Sequence, residues 1–449
     1  MSTNNFREIL QKRELYLLET EVDGKFLLYA PLADSILPVS KEDVCKLADA
    51  VVSPENADTD TLETVAALCD VEPVSMREGH VRGVEDFINL SILPNNVCNF
   101  SCSYCYSAKG RSKQRMKLGQ AIQMIDYFMD KKRNDSDFLT VTIFGGGEPL
   151  LSWDDIVKPA VQYIYSRNIC QRKVVVTLIT NGSIIPDGFI EICRTYDIDL
   201  VCSYEILRDV QDSQRRHYNL VSKNIATLIE NGVVPAINSV ITELNVERQQ
   251  EMISVLAHNF PQIKHVAFEP VIGDDIADKD SFYLKFTKSF LKAKRFAEQQ
   301  GIVLTCSALR NVDVTVDRYC AGELALCADG SISICPCVSS PEEKNYSSYI
   351  YGKVDEHGVS IDKDKLSSLL KANVHSQPWC DGCFAKWNCG GGCINNTKNN
   401  GGGQIPQYCR FVRRFLKYIL ARRLDDIWQE ENDESIKEII GDYERFIEE

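Results

Sequence analysis

The stretch Phe87-Ile-Asn-Leu-Ser-Ile-Leu93, followed by Cys98-Asn-Phe-Ser-Cys102-Ser-Tyr-Cys105, decides the fold of this 449-residue chain. Its first part is an apolar run with the length and composition of a buried strand. Its second part carries three thiols on the loop that leaves this strand. Three thiolates can hold three irons of a [4Fe–4S] cube, whereas structural zinc sites and electron-carrying clusters usually have four protein ligands. The spacing therefore predicts a cluster with one iron open to a small molecule, and a zinc knuckle or three buried free cysteines are the alternatives.

Strands and helices alternate from this stretch onward. The alternation predicts βαβ units and a parallel sheet, and six units predict a partial (β/α)6 TIM-like barrel over residues 85–305. Functional groups are then expected at the carboxyl ends of the strands, where the cysteine loop also lies. The predicted strands are 87–93, 140–146, 174–180, 199–204, 233–241 and 265–271, and the predicted helices are 118–132, 154–167, 186–196, 218–231, 245–258 and 280–299.

The next three strands end in residues suited to binding a small polar ligand. The second ends in Phe144-Gly-Gly-Gly-Glu-Pro149, the third in Thr180-Asn-Gly182, and the fourth at Ser203. Glycines let the backbone approach a ligand closely, and a carboxylate beside them can accept hydrogen bonds from an ammonium group. One ligand site at the rim of the barrel is therefore predicted.

The Cys-x3-Cys-x-aromatic-Cys loop, with Tyr104 before Cys105, resembles that of the radical S-adenosylmethionine (SAM) superfamily. The resemblance implies that Cys98, Cys102 and Cys105 are the catalytic cluster ligands and that SAM chelates the open iron. It also implies that one electron from the cluster cleaves SAM to a 5′-deoxyadenosyl radical, which abstracts hydrogen from a substrate. The cofactor carries this chemistry, and the protein supplies position and exclusion.

The same resemblance implies which residues contact SAM. The Gly-Gly-Glu-Pro segment is expected to bind the methionine amine, Ser203 the ribose or carboxylate, and Arg215 a carboxylate, with Tyr104 near the adenine. For Arg215 a surface salt bridge is the alternative, and for Tyr104 shielding of the cluster. The expected SAM-binding residues are Tyr104, Gly146, Gly147, Glu148, Thr180, Asn181, Ser203 and Arg215.

The sequence after the fourth strand departs in part from this superfamily. Members with a similar C-terminal extension often read Ser-x-Asp-Gly, then His-Asp, then Arg. Here Glu205 and Ile206 stand in place of Asp-Gly, and Gln211 stands in place of His. Three rim residues are candidates for the base that takes a proton from the substrate, and the sequence does not decide among them: Tyr204, Glu205 and Asp212.

A second set of cysteines follows the pattern C-x9–15-G-x4-C, gap, C-x2-C-x5-C-x3-C, gap, C. All seven cysteines of this pattern, which resembles the SPASM domain of peptide-modifying radical SAM enzymes, are present: Cys320, Cys335, Cys380, Cys383, Cys389, Cys393 and Cys409. The resemblance implies two auxiliary [4Fe–4S] clusters, and so three clusters in all. One would be held by Cys380, Cys383, Cys389 and Cys409, and the other by Cys320, Cys335 and Cys393.

The last ligand of the second auxiliary cluster is open among Cys306, Cys327 and Cys337, or the site is open. Asp329-Gly330 predicts a hairpin that brings Cys327 close to Cys335, which favours Cys327. Two zinc sites are the alternative for the whole pattern. Five further cysteines are expected to be ordinary buried residues, and His217 is expected to be structural. These cysteines are Cys45, Cys69, Cys170, Cys193 and Cys202.

Composition narrows the class of protein. The net charge of −14 argues against non-specific nucleic-acid binding, which needs a basic surface. The chain has 18 cysteines but no basic-then-apolar N-terminal stretch, and no apolar run of about 18 residues. We therefore expect no membrane segment, a reducing cytoplasmic location, and metal or cluster binding instead of disulfides.

Two segments flank the predicted barrel and the cysteine-rich region. Residues 1–84 predict an α+β domain: a hairpin at Asp23-Gly24, helices near 40–52 and 58–70, and a capping box from Ser40 to Asp43. This domain faintly resembles the peptide-recognition element of peptide maturases, and a packing extension of the barrel is the alternative. Residues 306–410 are expected to fold around metal. Residues 411–449 predict a helical tail.

The resemblance covers roughly residues 90–410 and implies a maturase of ribosomally synthesised peptides (RiPPs) that installs a thioether, carbon–carbon or carbon–oxygen crosslink. Its partners would be a precursor peptide and a reductant such as flavodoxin or ferredoxin. A sulfatase-maturating, formylglycine-forming enzyme is the alternative within the class, but such enzymes carry Asp where this chain has Pro336. From other classes, an Fe–S electron carrier or a zinc-binding module remains an alternative.

Overall fold

The computed structural model describes residues 3–69, 83–167, 172–271, 276–395 and 406–447, and in these residues the strands form two sheets. The N-terminal sheet has three antiparallel strands, in the order β1-β2-β3, with helices packed against it. The hairpin at Asp23-Gly24 and the capping box from Ser40 to Asp43 are confirmed. The elements of this part are α1 (Thr3–Gln11), β1 (Tyr16–Glu19), β2 (Lys25–Ala30), β3 (Ser35–Ser40), α2 (Lys41–Val52) and α3 (Thr59–Cys69).

Parallel strands and helices then alternate, as the sequence predicts. The six predicted strands are confirmed, and a seventh short strand follows the last long helix. A seven-residue helix, α7, lies where no helix was predicted. The elements are β4 (Asn89–Ile92), α4 (Leu118–Met129), β5 (Phe138–Ile143), α5 (Lys158–Arg167), β6 (Lys173–Thr180), α6 (Phe189–Thr195), β7 (Asp199–Ser203), α7 (Arg208–Gln214), α8 (Tyr218–Glu230), β8 (Ala236–Ile241), α9 (Gln249–Asn259), β9 (His265–Pro270), α10 (Lys279–Gln299) and β10 (Val303–Thr305).

The register of these strands shows which side chains lie on each face of the sheet. Ile92 pairs with Ile143, and Ile143 with Leu178, so that one face carries an apolar row packed under the helices. Successive side chains of a strand point to opposite faces. Residues between the apolar ones, such as Ser91 and Thr142, therefore face the concave side of the sheet, here called the lumen.

The cysteine-rich region joins the same sheet, which the sequence did not predict. β11 pairs in parallel with β4, and three more strands extend the edge antiparallel. Leu324, Leu326 and Ile332 belong to the large hydrophobic core. The hairpin predicted at Asp329-Gly330 joins β11 and β12, which have three residues each and are too short to show a strand pattern, and pairing along the free edge of β4 supplies their order. The strands are β11 (Leu324–Leu326), β12 (Ser331–Ser333), β13 (Ile350–Asp355) and β14 (Gly358–Ile361).

The sheet of described strands has the order β10-β9-β8-β7-β6-β5-β4-β11-β12-β13-β14, and its parallel part curls. Burial raises the pKa of Glu269 on β9 and of Glu323 before β11, and the charge of Arg310 opposes the rise at both. Arg310 therefore lies near both carboxylates, which belong to opposite sides of the parallel part. The two edges of the parallel part therefore meet around Arg310, which gives a partial barrel.

Four short α-helices and one long α-helix follow the barrel in the described residues. The long C-terminal helix packs along α10, where Tyr283 stacks on Phe411 with ring centroids 5.0 Å apart. No helix among the described residues is long and apolar enough to cross a membrane. The helices are α11 (Tyr346–Tyr349), α12 (Lys363–Leu370), α13 (Lys386–Cys389), α14 (Pro406–Asn432) and α15 (Lys437–Ile440).

Candidate cluster and cofactor site

The loop after β4, residues 94–107 and here called the first cysteine loop, carries Cys98, Cys102 and Cys105 as partly buried free thiols. Burial raises the pKa of Cys102; the charge of Arg215 opposes this rise, and the other two thiols add to it. Arg111 Nη2 donates a hydrogen bond to Cys105 Sγ over 3.2 Å. The three thiols thus lie within electrostatic range of one another and of two guanidinium groups, whose positive charges oppose the effect of burial on Cys102.

Gly146 and Gly147 dock the end of β5 against the first cysteine loop. A Cβ on Gly147 would lie 1.8 Å from the Val97 carbonyl oxygen, and a Cβ on Gly146 would lie 2.6 Å from that of Asn95. The backbone N–H of Gly147 donates to Asn95 O over 2.9 Å, and that of Glu148 donates to Val97 O over 2.7 Å. The close approach that glycine permits here joins two loops of the protein.

Glu148 ties the ends of β5 and β6 together. Its carboxylate accepts hydrogen bonds from Leu150 N (3.1 Å), Thr180 Oγ1 (2.7 Å) and Asn181 N (2.8 Å). Burial raises the pKa of Glu148, and these hydrogen bonds oppose the rise. Both carboxylate oxygens of Glu148 therefore bind the protein itself, which leaves the backbone of this segment to face a ligand.

Asn181 extends this network to the first cysteine loop. Its Nδ2 donates to Asn99 Oδ1 over 2.9 Å and lies 4.0 Å from Cys98 Sγ. The expected residues Glu148, Thr180 and Asn181 are thus brought together beside the cysteines. Ser203 ends β7 and pairs in register with Asn238 of β8.

Tyr104, Glu205 and Arg215 form a buried group under the first cysteine loop. Tyr104 donates its O–H to the Glu205 carboxylate, and Arg215 Nη1 donates to the Tyr104 oxygen over 2.8 Å. Arg215 Nη1 lies 3.7 Å from Glu205 Oε1, and Glu205 is 0% exposed. Glu205 also accepts from Ser239 Oγ (2.7 Å) and Val240 N (2.9 Å).

This group bears on two expectations about charge. Arg215 is 8% exposed and its Nη1 pairs with an internal carboxylate, which excludes the surface salt bridge as its role. Burial raises the pKa of Glu205, and the charge of Arg215 opposes this rise. Glu205, considered above only as a departure from the pattern and as a candidate base, is instead the counter-charge of Arg215.

Two buried polar atoms beside the first cysteine loop test whether SAM fits. In the described residues, the buried side-chain atoms without a hydrogen-bond partner include Arg215 Nε and Asn96 Oδ1, and also Arg111 Nε, Gln214 Oε1 and Asn238 Oδ1. Asn96 is 2% exposed and lies against Gly146. An unpaired buried donor and acceptor are costly unless a ligand satisfies them. A carboxylate and an ammonium would do so, and three free thiols match a cluster with one open iron, so the residues fit both groups.

The auxiliary cysteine region, residues 320–409, contains two sets of thiols that influence each other. Burial, followed by the charges of Cys409, Cys383 and Cys380, raises the pKa of Cys389 to about 12. Burial, followed by the charges of Cys393 and Cys335, raises the pKa of Cys320 to about 12. These two sets have the same members as the two ligand sets that the SPASM resemblance implies.

The candidates for the remaining ligand separate in space. A hydrogen bond with the Cys337 thiol is the largest cause of the raised pKa of Cys335, followed by burial. Cys327 is 0% exposed, and burial is the first cause of its raised pKa. Nearby charges that include Cys335 add to the rise, so Cys327 also lies near Cys335. Cys306 lies beside Glu269 at the end of β10. Cys327 and Cys337 thus both remain next to Cys335.

Among the described residues, the thiols do not form a binding site for a single metal ion. In the described part of the chain, no set of three or more His, Cys, Asp or Glu side chains is close enough to hold one metal ion. Of the cysteines expected to be ordinary, Cys193 and Cys202 are buried in the core, and Cys45 and Cys69 are partly buried. Cys170 lies outside the described residues.

Two of the candidate bases point away from the lumen. The Tyr204 hydroxyl shares a hydrogen bond of 2.7 Å with Ser222 Oγ, and Asp212 accepts from Tyr218 N–H over 2.9 Å at the surface. With Glu205 paired to Arg215, none of the three predicted candidates offers a free carboxylate or phenol to the lumen.

Glu269 and Glu323 are lumenal acids that the sequence analysis missed. Glu323 accepts a hydrogen bond from Ser91 Oγ over 2.7 Å. Burial raises its pKa to about 7, while Ser91 and Arg310 oppose the rise. Glu269 could have been found as a charge at the carboxyl end of a predicted strand. Glu323 gave no such signal, because its place depends on the pairing of β11 with β4.

Tyr106 connects the two cysteine regions. It is 55% exposed, but burial is the first cause of its raised pKa, followed by Cys337 and then by contributions that include Cys105 and Cys335. Tyr106 therefore lies within electrostatic range of thiols of both the first cysteine loop and the auxiliary region.

Comparison with known proteins supports the class. The radical SAM cyclopropyl synthase TigE of Paramaledivibacter caminithermalis is 23% identical over 363 residues, which cover 73% of this chain and 74% of that protein. The dual-specificity RNA methyltransferase RlmN of Aliarcobacter butzleri is 23% identical over 273 residues, 58% of this chain and 72% of that protein. No model of a protein family matches the chain.

Solved structures show the same fold. anSMEcpe with bound AdoMet and the Kp18Cys peptide has a TM-score of 0.61 at 15% identity, covering 76% of this chain and 99% of that one. SuiB of Streptococcus suis, bound to its precursor peptide SuiA, has a TM-score of 0.51 at 14% identity, covering 86% of this chain and 96% of that one. The radical SAM relative, the shared fold and the cysteine loop at the rim of the barrel together support a radical SAM enzyme.

Proposed function

We propose that this radical SAM enzyme is a peptide maturase that installs a thioether, carbon–carbon or carbon–oxygen crosslink in a ribosomally synthesised precursor peptide. One observation carries the proposal: Cys320 adjoins the lumen, because Glu323, three residues along the chain, accepts a hydrogen bond from the lumen-facing Ser91 over 2.7 Å. A redox group held there would stand beside the substrate, where a crosslinking oxidation needs it. Two structural neighbours carry peptides, SuiB and anSMEcpe, which supports a peptide substrate.

The residues of the first site would bind the cofactors as follows. Cys98, Cys102 and Cys105 would hold a [4Fe–4S] cluster, and the free Nε of Arg215 would donate to the carboxylate of SAM. Asn96 Oδ1 and the backbone of the Gly146 segment would accept from its ammonium group. When bound, the cluster and SAM supply a 5′-deoxyadenosyl radical for hydrogen abstraction. Tyr104, held by Glu205, encloses this site from below.

For the auxiliary region, we propose SPASM-type ligation, with Cys380, Cys383, Cys389 and Cys409 on one cluster. Cys320, Cys335 and Cys393 would hold the other with Cys327, and Cys337 is the alternative to Cys327. The chain would then carry three clusters. The corresponding domains are 1–84, 85–305, 306–410 and 411–449, and the proposed location is the cytoplasm, where thiolate clusters and a flavodoxin or ferredoxin reductant are kept reduced.

Bond formation in a peptide releases a proton, and the lumenal acids can take it. Glu323 is partly buried, accepts from Ser91, and has a pKa of about 7, so that it can exchange a proton near neutral pH. Glu269 lies across the lumen on the other side of Arg310. We propose these two carboxylates as proton acceptors, in place of Tyr204 and Asp212.

The first experiment counts iron and measures SAM cleavage in protein purified without oxygen. We expect about twelve irons per chain and release of 5′-deoxyadenosine after reduction. Changing Cys98, Cys102 and Cys105 to Ala should remove about four irons and all cleavage, while Cys389→Ala should remove about four irons and leave cleavage of SAM. Zinc in place of iron, or cleavage that survives the triple change, would exclude the proposed mechanism.

A second experiment separates crosslinking from formylglycine formation. Small cysteine- or aromatic-containing peptides encoded beside this gene would be coexpressed with the enzyme and analysed by mass spectrometry. A crosslinked product has lost two hydrogens and gives no aldehyde. A product that reacts with a hydrazide probe would instead indicate formylglycine and favour a sulfatase-maturating enzyme.

A further inference from the structure

The segment from 205 to 217, here called the α7 segment, is held in an unfavourable backbone conformation near both ends. Ile206 before helix α7 has φ 65°, and Arg216 and His217 after it have φ 70° and 60°. A β-branched or bulky side chain is strained in the left-handed region. Such conformations persist only where the surrounding structure holds them, and they concentrate at functional sites.

Gln211 holds both ends of the α7 segment. It is 0% exposed. Its Oε1 accepts from the backbone N–H of Glu205 over 2.9 Å, and its Nε2 donates to the backbone oxygen of Arg216 over 3.0 Å. One buried amide therefore spans the helix and joins the strained turn before it to the strained turn after it.

The α7 segment in turn supports the first cysteine loop at three points. Ser103 N–H donates to Gln214 O over 3.0 Å. The Phe100 and His217 rings lie 5.1 Å apart between centroids. The third point is the buried group of Tyr104, Glu205 and Arg215 described above. Residues from both ends of the segment thus contact the loop that carries the three thiols.

We propose that Gln211 is a positioning residue of the cofactor site. By holding the two strained turns together, it sets the distance between Glu205 and Arg215 and so the direction of the free Arg215 Nε. The inference rests on the proposed function, because the group that Arg215 Nε meets is taken to be the carboxylate of SAM. An imidazole at this position could also accept at one nitrogen and donate at the other.

The test compares Gln211→Leu with Gln249→Leu in the cluster-loaded protein. Gln249 is a matched control: it is 0% exposed and its Nε2 donates to two backbone oxygens, of Val246 (2.9 Å) and Phe286 (3.2 Å), away from the cysteine loop. Both variants should lower the melting temperature. Gln211→Leu alone should weaken SAM binding by roughly tenfold or more and shift the electron paramagnetic resonance spectrum of the reduced cluster with SAM bound.

Two further variants complete the test. Gln211→His should restore SAM affinity and the spectrum, and Gln211→Asn, which shortens the side chain, should weaken binding if the Leu variant fails to fold. SAM affinity and spectra that are the same in the Gln211 and Gln249 variants would overturn the inference alone. A wild-type protein that holds the cluster but binds no SAM would overturn the proposed function, and this inference with it.

Discussion

Glu205 balances the buried charge beneath the first cysteine loop. It is fully buried, lies 3.7 Å from the Arg215 guanidinium, and accepts hydrogen bonds from Tyr104 and from the β8 strand. Breaking a buried pair by removing one partner is far more costly than breaking a surface pair, because the other charge stays buried. The charge of Glu205 should therefore matter for stability as well as for the cofactor site.

We expect Glu205→Gln to lower the free energy of unfolding of the apoprotein by on the order of 3 kcal/mol, because Arg215 keeps its charge without a counter-charge. Glu251→Gln is the control. Glu251 pairs with Arg248 at the surface and is 49% exposed, so its loss should cost less than about 1 kcal/mol. Denaturant titration of both variants measures the difference, and equal costs would show that the buried pair contributes no more than a surface pair.

Glu323 predicts a pH dependence of stability. Its pKa is about 7 in the folded protein against an ordinary value of 4.5, so the folded state keeps a proton that the unfolded chain releases. Stability is therefore lost as the pH rises from about 4.5 to about 7. Between pH 5 and pH 8, the free energy of unfolding of the wild-type protein should fall by on the order of 2 kcal/mol more than that of Glu323→Gln.

Denaturant titrations at several pH values check this prediction. Glu251→Gln is again the control, since hydrogen bonds from Arg248 lower the pKa of Glu251 and its titration lies below this window. A wild-type pH profile parallel to that of Glu323→Gln would mean that Glu323 is ionised in the folded protein near pH 5.

At the scale of elements, the site depends on how the first cysteine loop docks on the end of β5. Gly146 and Gly147 allow backbone groups to pair with Asn95 and Val97. Glu148 then joins the same corner to β6. The cysteines are therefore positioned by a corner of three loops, and a change in the packing of one loop should move the thiols.

Gly147→Ala should displace the first cysteine loop, because the new Cβ would lie 1.8 Å from the Val97 carbonyl oxygen. We expect loss of the iron bound by this loop, about four irons per chain, with the auxiliary iron retained. Gly119→Ala is the control: it lies in the first turn of α4 with nothing within 4 Å of its Cβ, and alanine favours a helix. Iron analysis after reconstitution measures this loss. Full iron with normal SAM cleavage in Gly147→Ala would show that docking on the end of β5 does not position the thiols.

At the scale of the whole molecule, the N-terminal sheet packs on the auxiliary cysteine region. Glu14 accepts hydrogen bonds from Lys386 Nζ (2.7 Å) and Trp387 Nε1 (2.8 Å), both on α13, the helix that ends in Cys389. Tyr29 of β2 donates to Asn388 Oδ1 over 2.8 Å. The N-terminal residues are thus positioned to hold α13, and with it one of the auxiliary thiols.

Glu14→Gln should loosen α13, since Lys386 is 11% exposed and would lose its counter-charge. We expect faster hydrogen exchange of the backbone amides of residues 383–393 and a loss of about 2 kcal/mol of stability. Glu19→Gln is the control in the same sheet, because Glu19 is 61% exposed and pairs with Arg7 at the surface. Equal exchange in the two variants would show that Glu14 does not hold α13.

Much of the fold followed from local patterns. The six barrel strands, the hairpin at Asp23-Gly24 and the capping box at Ser40 were predicted because each depends on residues near one another in the chain. The cysteine spacings identified the class for the same reason, since a loop of eight residues from Cys98 to Cys105 sets the separation of its thiols. Helix α7 escaped prediction because seven residues between left-handed turns show no helical period.

The tertiary structure decided what depends on residues far apart. Tyr104 meets Arg215 across 111 positions and Ser91 meets Glu323 across 232, and no local pattern marks such pairs. The counter-charge of Arg215, the lumenal acids and the joining of β11 to β4 all arise from such contacts. The sequence by itself therefore determined the class of enzyme and its candidate cysteine ligands, whereas the packing of distant strands decided which side chains lie beside the first cysteine loop, because burial and pairing of charges exist only once the sheet has formed.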